Sequence, residues 1–275
     1  MLNLPAGIGK SAKIVGIFGD PIVQSLSPKM HNYAFEKLGL DYVYVPFHVK
    51  SKDLKSAVED ICKFNIVGVN ITIPHKEAIL PYMDELSPEA KKIGAVNTVI
   101  HKSGRLIGDN TDARGFISSL REDGHFDPLG KRAVLWGAGG VARAMAFSLL
   151  EAGLAQLTIV NRTAERAQNL ADALPGKFVK VMKTDDPNLA DILKNCDIFI
   201  NASHEGMDKS DFLSPSMFVY DGVYDRQTPL LKAAQSAKLL HLGGLGMLIR
   251  QGALSFSLWT GKEPPVSLMK EALGA

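Results

Sequence analysis

The sequence predicts an α/β fold, and three observations support this class. Short apolar runs alternate with amphipathic helical windows, which is typical of parallel β-sheets covered by helices. A glycine-rich turn at residues 137–142 joins an apolar run to a helical window and opens a second α/β unit. The last strong helical window, residues 246–261, follows that unit, and we expect it to return to the first. We therefore predict two domains: residues 1–112 together with 246–275, and residues 113–245.

The elements of the first unit follow from apolar runs and from residues that cap helices. Ser27, Ser51 and Ser87 precede helical windows and are predicted N-caps, while Pro74 is expected to open a short helix. Gly39 is expected just past the end of the first helix. The predicted strands are residues 13–19, 42–49, 66–73, 96–101 and 105–108. The last two are expected to form a pair around a Ser-Gly turn.

The second unit is predicted to begin after a loop at residues 126–130, which follows a helical window at residues 111–124. A strand, the glycine-rich turn, a helix at residues 141–153 and a further strand come next. The predicted strands of this unit are residues 133–136, 157–160, 178–181, 197–201 and 218–220.

The composition is that of an ordinary globular chain of 275 residues, with 46% hydrophobic and 22% charged residues. Lys and Arg total 31 against 29 Asp and Glu, so the net charge of +2 indicates no nucleic-acid partner. No membrane helix, signal peptide or metal-ligand spacing of histidines is recognised. Cys62 and Cys196 lie in apolar contexts, and we expect both to be buried, reduced thiols of a cytoplasmic protein.

The segment that contains the glycine-rich turn fits the dinucleotide-binding fingerprint G-x-G-x-x-A. Gly137 permits the tight turn, Gly139 lets the backbone approach a pyrophosphate, and Ala142 lets the helix pack on the strand. The free N–H groups and dipole at the helix N-terminus would bind the pyrophosphate. A plain flexible turn is the alternative, but the strand–turn–helix–strand context favours a nucleotide site. The residues assigned to this site are Gly137, Ala138, Gly139, Gly140, Val141 and Ala142.

The residues after the second strand of this unit favour NADP over NAD. An NAD site usually has an acidic residue there, whereas this chain has Asn161-Arg162-Thr163, followed by Arg166. A guanidinium can bind a 2′-phosphate through two charge-assisted hydrogen bonds, while a carboxylate would repel it. The alternative is that both arginines are surface residues, although cations near a helix N-terminus are mildly disfavoured.

Candidate substrate residues lie in the first unit. Ser25 and Ser27 are two residues apart, so in an extended segment both hydroxyls would face a carboxylate beside a helix N-terminus. Capping alone explains Ser27 but not Ser25, and the residues leave both interpretations open. Asn70 and Thr72 share one face of an otherwise apolar strand, which suggests a ligand face.

Lys76 follows that strand in a loop, where a lone lysine is usually only solvent-exposed, so the assignment needs partners. The pair Asn97-Thr98 adds polar groups close to a strand. Asp112 is a second candidate, although an acidic residue there also simply favours a helix start.

Seven motifs, in this order over nearly the whole chain, resemble the shikimate dehydrogenase family. They are Ser25 to Pro28, Asn70 to Lys76, Gly94 to Thr98, Gly108 to Gly115, Gly137 to Ala144, Asn161 to Thr163, and Gly244 to Gln251. The resemblance implies reversible, NADPH-dependent reduction of 3-dehydroshikimate to shikimate, a step of aromatic amino acid biosynthesis. It also implies an N-terminal α/β substrate domain, completed by the C-terminal helix, that faces a Rossmann-like NADP-binding domain across a cleft.

The resemblance further implies a role for each matching position. Lys76 would be the catalytic proton donor and acceptor, with the Asp112 carboxylate beside it, because an ammonium can neutralise charge on a reduced ketone oxygen. Ser25 and Ser27 would hold the substrate carboxylate, with Tyr224 nearby. The ring hydroxyls would be bound by Asn70, Thr72, Asn97, Asp112 and Gln251. The cofactor would further contact Asn161, Arg162, Thr163, Arg166, Gly222 and Gly244.

Three stretches depart from the family pattern. His204 and Glu205 are bulky where small residues are usual, the loop at Asp225 to Gln227 is one residue short, and Gly243 replaces a common Asp or Asn. The resemblance places these positions along the nicotinamide half of the cleft. Rival functions are a quinate/shikimate dehydrogenase, including one that uses NAD, and a non-catalytic NADP-binding sensor. A two-domain folate dehydrogenase fits the motifs poorly. A small-molecule substrate and a monomer or homodimer are expected.

Overall fold

The computed structural model describes residues 2, 9, 11–176, 178–203 and 211–275, and the chain divides into two compact units. Unit 1 comprises Met1–Thr111 and Ile249–Ala275, and unit 2 comprises Asp112–Leu248. These divisions lie one and three residues from those expected from the sequence. The atypical residues 204–207 fall outside the described residues.

Unit 1 holds most of its helices and strands in its first segment. These are β1 (Lys13–Gly19), α1 (Ser27–Lys37), β2 (Tyr42–His48), α2 (Leu54–Lys63), β3 (Gly68–Ile71), β4 (Glu85–Leu86), α3 (Pro88–Ile93), β5 (Thr98–Lys102) and β6 (Arg105–Asp109). Short 3-10 helices form at Ser51–Asp53 and Leu80–Tyr82.

The unit 1 sheet has the strand order β2-β1-β3-β5-β6-β4. β1 is parallel to both β2 and β3, but β5 is antiparallel to β3 and to β6. The predicted strand pair around the Ser-Gly turn is therefore confirmed, as an antiparallel pair in a sheet that also contains parallel strands. The tight Ser103-Gly104 turn allows the antiparallel pair, because both residues have positive φ angles, of 51° and 76°.

Unit 2 begins with α4 (Asp112–Glu122), one residue before the predicted start of the second domain at Ala113. It continues as an alternation of strands and helices. The elements are β7 (Arg132–Trp136), α5 (Gly140–Glu151), β8 (Gln156–Val160), α6 (Ala164–Ala173), β9 (Val179–Met182), α7 (Leu189–Lys194), β10 (Ile198–Asn201), β11 (Phe218–Asp221), α8 (Pro229–Ser236) and β12 (His241–Gly243). Helix α9 (Leu245–Thr260) begins in unit 2 and ends in unit 1, where α10 (Val266–Leu273) follows it.

The unit 2 sheet is parallel throughout, with the order β9-β8-β7-β10-β11-β12. This is the strand order of dinucleotide-binding folds, and the order reverses direction between β7 and β10. Neighbouring residues of β7 pack on opposite faces: Val134 and Leu135 belong to separate hydrophobic clusters. Both faces are therefore buried, as parallel sheets require.

Helix α9 completes the core of unit 1 through aromatic contacts. Phe256 stacks on Phe35 with ring centroids 5.0 Å apart, and the Trp259 indole N–H donates to the Val99 carbonyl at 3.0 Å. His31 of α1 is fully buried in the same aromatic cluster, and its ring stacks on Tyr44 at 4.3 Å. The expected return of this helix to the first unit is thus observed for residues 249–260.

Two of the three predicted serine caps are wrong. Leu26 is the N-cap of α1 and Ser27 is its first residue, and Ser51 lies inside a 3-10 helix whose N-cap is Lys50. Ser87 does cap α3, since its hydroxyl accepts a hydrogen bond from the Ala90 N–H. Pro28 allows α1 to begin one residue earlier than predicted. Its φ angle is fixed near the helical value, so it fits as the second residue of the helix as well as the first.

Other local expectations also fail. No helix begins at Pro74: its peptide bond to Ile73 is cis, and turns follow it. β3 ends at Ile71, so Ile73 belongs to the loop and is 52% exposed. Cys62 is exposed rather than buried, because its position on α2 faces away from the apolar side, whereas Cys196 is buried; both thiols are free. Within the described ranges, no helix combines the length and apolarity needed to cross a bilayer.

Candidate active site and nucleotide-binding turn

Three chain segments meet at one edge of the unit 1 sheet. The first residue of β5, Thr98, lies opposite Asn70 of β3. The last residue of β6, Asp109, also lies opposite Thr98. Because β5 is antiparallel to its neighbours, the end of β3, the start of β5 and the end of β6 share this edge.

Asn97 is the centre of a buried hydrogen-bond network at this edge, and it is 2% exposed. Its Oδ1 accepts from the Thr111 backbone N–H at 2.8 Å and from the Thr98 hydroxyl at 2.9 Å. Its Nδ2 donates to the Thr111 hydroxyl at 2.8 Å and to Gln251 Oε1 at 3.2 Å. Two predicted substrate residues that are 154 positions apart in the chain are therefore in direct contact.

Asn70 belongs to the same network, but its amide is directed into the protein. Its Oδ1 accepts from the Tyr44 hydroxyl at 2.8 Å. Its Nδ2 donates to the Asn97 carbonyl at 3.1 Å and lies 2.9 Å from Ser255 Oγ. Both amide hydrogens thus have acceptors within the protein, which leaves only the remaining lone pair of Oδ1 for a ligand.

The loop after β3 carries Thr72 and Lys76. The N–H of Val96, the residue before Asn97, donates to the Lys76 carbonyl at 2.8 Å. This hydrogen bond holds the Lys76 loop beside the Asn97 segment. Thr72 is half-buried and packs over Gly19, where an added Cβ would lie 2.4 Å from Thr72 Cγ2. Only glycine therefore permits this approach of Thr72 to β1.

The two serines at the start of α1 have roles opposite to those that capping predicts. Ser25 Oγ accepts the Ser27 N–H at 3.3 Å, so Ser25 provides the side-chain acceptor at this helix start. Ser27 is buried, and its hydroxyl makes no hydrogen bond to any described residue. A hydroxyl without a partner beside the N-terminus of an 11-residue helix suits an anionic ligand.

The remaining predicted substrate residues belong to unit 2. Asp112 is the first residue of α4 and is buried, and an acidic residue in a first turn also stabilises the helix dipole. Tyr224 is half-buried in the loop after β11. Burial, with a smaller contribution from the Asp225 carboxylate, raises the pKa of Tyr224, so its hydroxyl is protonated at neutral pH.

The glycine-rich turn after β7 has the backbone conformation that a dinucleotide needs. Gly137 has a φ of +117°, and an added Cβ would lie 3.3 Å from the Ala202 carbonyl carbon. Gly139 is the N-cap of α5, and an added Cβ there would have nothing within 4 Å. Ala142 is fully buried against the core. The space over Gly139, at the N-terminus of a 12-residue helix, therefore fits a pyrophosphate.

Two cations follow β8, one before α6 and one in its first turn. Arg162 and Arg166 are exposed, and neither forms an ion pair with a described residue. Asn161 is held by its Nδ2, which donates to the Thr163 carbonyl at 2.9 Å. Thr163 is the N-cap of α6 but makes no side-chain capping hydrogen bond. This arrangement is suited to a phosphate on the adenosine ribose.

The buried Asp221 carboxylate holds the turn after β10, which lies beside Gly137. Asp221 is completely buried and accepts from Asn201 Nδ2 at 2.8 Å, from the Val223 N–H at 3.1 Å and from the Thr228 hydroxyl. Asn201 Oδ1 in turn accepts from the Ser203 N–H at 3.0 Å. The turn after β10 is therefore held beside the glycine-rich turn, at the point where the sheet order reverses.

Gly222 and Gly244 allow two backbone segments of unit 2 to pack closely. A Cβ on Gly244 would lie 2.3 Å from the Gly222 carbonyl oxygen. The Gly222 N–H also donates to the Asn201 carbonyl at 2.8 Å. This packing explains both glycines without a ligand, so their cofactor contact stays a prediction.

Sequence reasoning missed Ser255, and it noted Thr98 and Thr111 only as members of short polar runs. The signal for Ser255 is its position four residues after Gln251, on the same face of α9. Thr111 lies next to Asp112 in a polar run, and its backbone N–H holds Asn97.

The glycine turn, the strand order and the cations after β8 define a Rossmann-like dinucleotide-binding protein. Family models match three parts of the chain: the shikimate dehydrogenase substrate binding domain at residues 17–99, shikimate / quinate 5-dehydrogenase at 123–208, and the shikimate 5'-dehydrogenase C-terminal domain at 244–273. The chain is 43% identical to the shikimate dehydrogenase (NADP(+)) of Geobacter sulfurreducens, over 96% of this chain and 97% of that protein. The chain belongs to the shikimate dehydrogenase family.

Two solved structures are similar over nearly the whole chain. Shikimate 5-dehydrogenase from Thermus thermophilus, in complex with NADP(H) and shikimate, has a TM-score of 0.84 and 38% identity, covering 94% of this chain and 98% of that one. Quinate dehydrogenase from Corynebacterium glutamicum, in complex with NAD, has a TM-score of 0.84 and 32% identity, covering 95% of this chain and 98% of that one.

Proposed function

We propose that this protein is an NADP-dependent shikimate dehydrogenase that reversibly reduces the ring ketone of 3-dehydroshikimate. The observation that carries the proposal is the direct contact between Asn97 and Gln251 at the edge that Lys76 adjoins. Amide groups held in one geometry can exchange hydrogen bonds with several ring hydroxyls. The family membership makes a cyclic hydroxy-acid the matching substrate.

Lys76 supplies the proton in this proposal. NADPH, when bound, supplies the hydride to the ketone carbon. The carbonyl oxygen then carries negative charge, and the Lys76 ammonium donates a proton to it; in the reverse direction the amine accepts the proton of the alcohol. Asp112 is the proposed partner carboxylate that orients Lys76 and accepts a hydrogen bond from a ring hydroxyl.

The substrate carboxylate is assigned to the start of α1. The Ser27 hydroxyl is without a partner among the described residues, and the Ser25 hydroxyl, which accepts from the Ser27 N–H, keeps its own hydrogen to donate. Two hydroxyl donors and the helix N-terminus together favour an anion. The Tyr224 hydroxyl is the proposed third donor, since its raised pKa keeps it protonated.

NADP rather than NAD follows from the charge after β8. Arg162 and Arg166 have no anionic partner among the described residues, so a 2′-phosphate does not have to displace one. The open space over Gly139 accommodates the pyrophosphate. The same proposal assigns no metal, and no metal-ligating group of three or more side chains occurs among the described residues.

Initial rates with shikimate and quinate, each with NADP and NAD, test the proposal. We expect the highest kcat/KM with shikimate and NADP, and a large loss with either NAD or quinate. Faster turnover of quinate would support the second candidate, a quinate dehydrogenase, which the similarity to the Corynebacterium enzyme favours. Binding of NADP without any turnover of shikimate would instead indicate a non-catalytic sensor.

A further inference from the structure

We propose that Ser255 is a positioning residue that holds the amides of Asn97 and Asn70 in the orientation required for substrate binding. This inference rests on the proposed function, because it concerns the same substrate site. Ser255 is 0% exposed, so it acts through other side chains rather than on a ligand.

The Ser255 hydroxyl is the point at which helix α9 joins the network of the sheet edge. Its oxygen lies 2.9 Å from Asn70 Nδ2, 2.8 Å from Thr98 Oγ1 and 3.2 Å from Thr111 Oγ1. The hydroxyl also donates to the Gln251 carbonyl at 3.0 Å, within its own helix. The Ser255 oxygen thus links α9 to β3, to β5 and to Thr111, the residue that precedes α4.

The available hydrogens restrict how this network can be arranged. If Ser255 donates to the Gln251 carbonyl, its oxygen must accept from Asn70 Nδ2 and from a threonine hydroxyl. Thr98 then divides its single hydrogen between Ser255 Oγ and Asn97 Oδ1, which lie at 2.8 Å and 2.9 Å. Removal of Ser255 Oγ therefore changes the hydrogen bonding of both threonines that contact Asn97.

The Asn70 amide depends on the same oxygen. The Tyr44 hydroxyl donates to Asn70 Oδ1 at 2.8 Å, which directs Nδ2 toward three acceptors. These acceptors are the Asn97 carbonyl, Thr98 Oγ1 and Ser255 Oγ. Without Ser255 Oγ, an amide hydrogen of a buried side chain loses one of these acceptors, and the pairing of Asn70 with the Asn97 segment weakens.

The chain offers a matched control two residues along the same helix. Ser257 Oγ donates to the Ala253 carbonyl at 3.2 Å, in the same way that Ser255 donates to Gln251. Ser257 makes no hydrogen bond to the described residues of the sheet edge. Ser257→Ala therefore reproduces the loss of a helix back-bond without altering the network.

The test compares steady-state kinetics of the wild type, Ser255→Ala and Ser257→Ala with shikimate and NADP. We expect Ser255→Ala to raise the KM for shikimate by about tenfold, with kcat affected less and the KM for NADP within about twofold. Ser257→Ala is expected to match the wild type. Equal KM values in the two variants, or a parallel rise for shikimate and NADP in Ser255→Ala, would overturn the inference.

A second pair of variants covers the case in which Ser255→Ala fails to fold. Thr98→Val removes the hydroxyl at nearly constant volume, whereas Thr98→Ser keeps it. Of the two variants, we expect only Thr98→Val to raise the KM for shikimate, and we expect its KM for NADP to stay unchanged. Equal KM values for shikimate in the two Thr98 variants would count against the inference. If the wild-type protein does not turn over shikimate, both the proposed function and the inference are overturned. If the wild type turns over shikimate normally and the variants match it, only the inference is overturned.

Discussion

The two units build their candidate sites from different materials. In unit 1 the site is a network of side chains, Asn97, Gln251 and Thr111 among them, that come from segments far apart in the chain. In unit 2 the site is mostly backbone: a glycine turn and a helix N-terminus, with two exposed arginines after the next strand. A side-chain network loses function when one partner is removed, whereas a backbone site is sensitive to added volume. Variants in each unit can test this difference.

The largest expected effect concerns Lys76 in unit 1. Lys76→Ala should lower kcat by about 10²–10⁴-fold with little change in the KM for shikimate, because it removes a proton donor needed in the transition state. Steady-state kinetics measure this, and Lys91→Ala, which changes an exposed lysine of α3, serves as the control. Near wild-type kcat in Lys76→Ala would exclude Lys76 as the proton donor.

The next effect concerns the charge after β8 in unit 2. Arg162→Ala should weaken NADP binding by roughly 1.5–3 kcal/mol, the value of a hydrogen bond to a charged group, and leave NAD binding unchanged. Calorimetric titration with both cofactors measures the difference. Lys238→Ala removes an exposed cation after α8 and should not change either affinity. An unchanged affinity for NADP in Arg162→Ala would remove this residue from the site.

The two glycines of the turn should respond differently to an added methyl group. Gly139→Ala should leave thermal stability unchanged, because the Cβ meets nothing within 4 Å, yet weaken NADP binding about tenfold by occupying the pyrophosphate position. Gly137→Ala should lower stability by roughly 1–3 kcal/mol, since its φ is +117°. Thermal unfolding with and without NADP separates the two. Equal NADP affinity in Gly139→Ala and the wild type would show that no phosphate lies there.

The remaining effect concerns the stability of unit 1 in acid rather than catalysis or cofactor binding. Burial lowers the pKa of His31 to about 3, and neither ring nitrogen has a hydrogen-bond partner among the described residues. The unfolded chain binds this proton below about pH 6.5, while the folded protein does not until about pH 3. Stability should therefore fall as pH decreases through this window, by at most about 1.4 kcal/mol per unit from this residue.

His31→Phe should remove that part of the pH dependence. Urea unfolding at about pH 7 and about pH 5, on either side of the ordinary histidine pKa, measures it. The exposed His241 at the start of β12 offers the matched control, His241→Phe. An equally steep loss of stability in His31→Phe and in the wild type would show that other groups are responsible.

The sequence predicted the backbone site more completely than the side-chain network. The glycine turn and Arg162 lie in short motifs, so local spacing was enough to propose them as cofactor residues. The contact of Asn97 with Gln251 depends on how α9 packs on the sheet, and spacing along the chain does not specify that packing. The motif resemblance named both residues, but not Ser255, which has no ligand contact to mark it.

Two of the wrong local predictions concern helix starts. Ser27 before Pro28 fits the pattern of a cap, but the Ser25 hydroxyl provides the acceptor instead, and the helix begins one residue earlier. After Pro74 the chain turns rather than forming a helix, while the His75 ring approaches the Val49 carbonyl at 2.6 Å. At α1 a side chain outside the helix accepts from the N–H of its first residue, whereas the His75 ring joins its loop to the residue after β2.

Unit 1 is made of two segments with the whole of unit 2 between them, and this fixes an order during synthesis. All of residues 112–248 are translated before Gln251 and Ser255. Asn70 and Asn97 at the sheet edge of unit 1 therefore lack their partners on α9 until the whole of unit 2 has been translated. A released chain that ended at Leu248 would accordingly contain the whole of unit 2 but lack the α9 residues that complete the sheet edge.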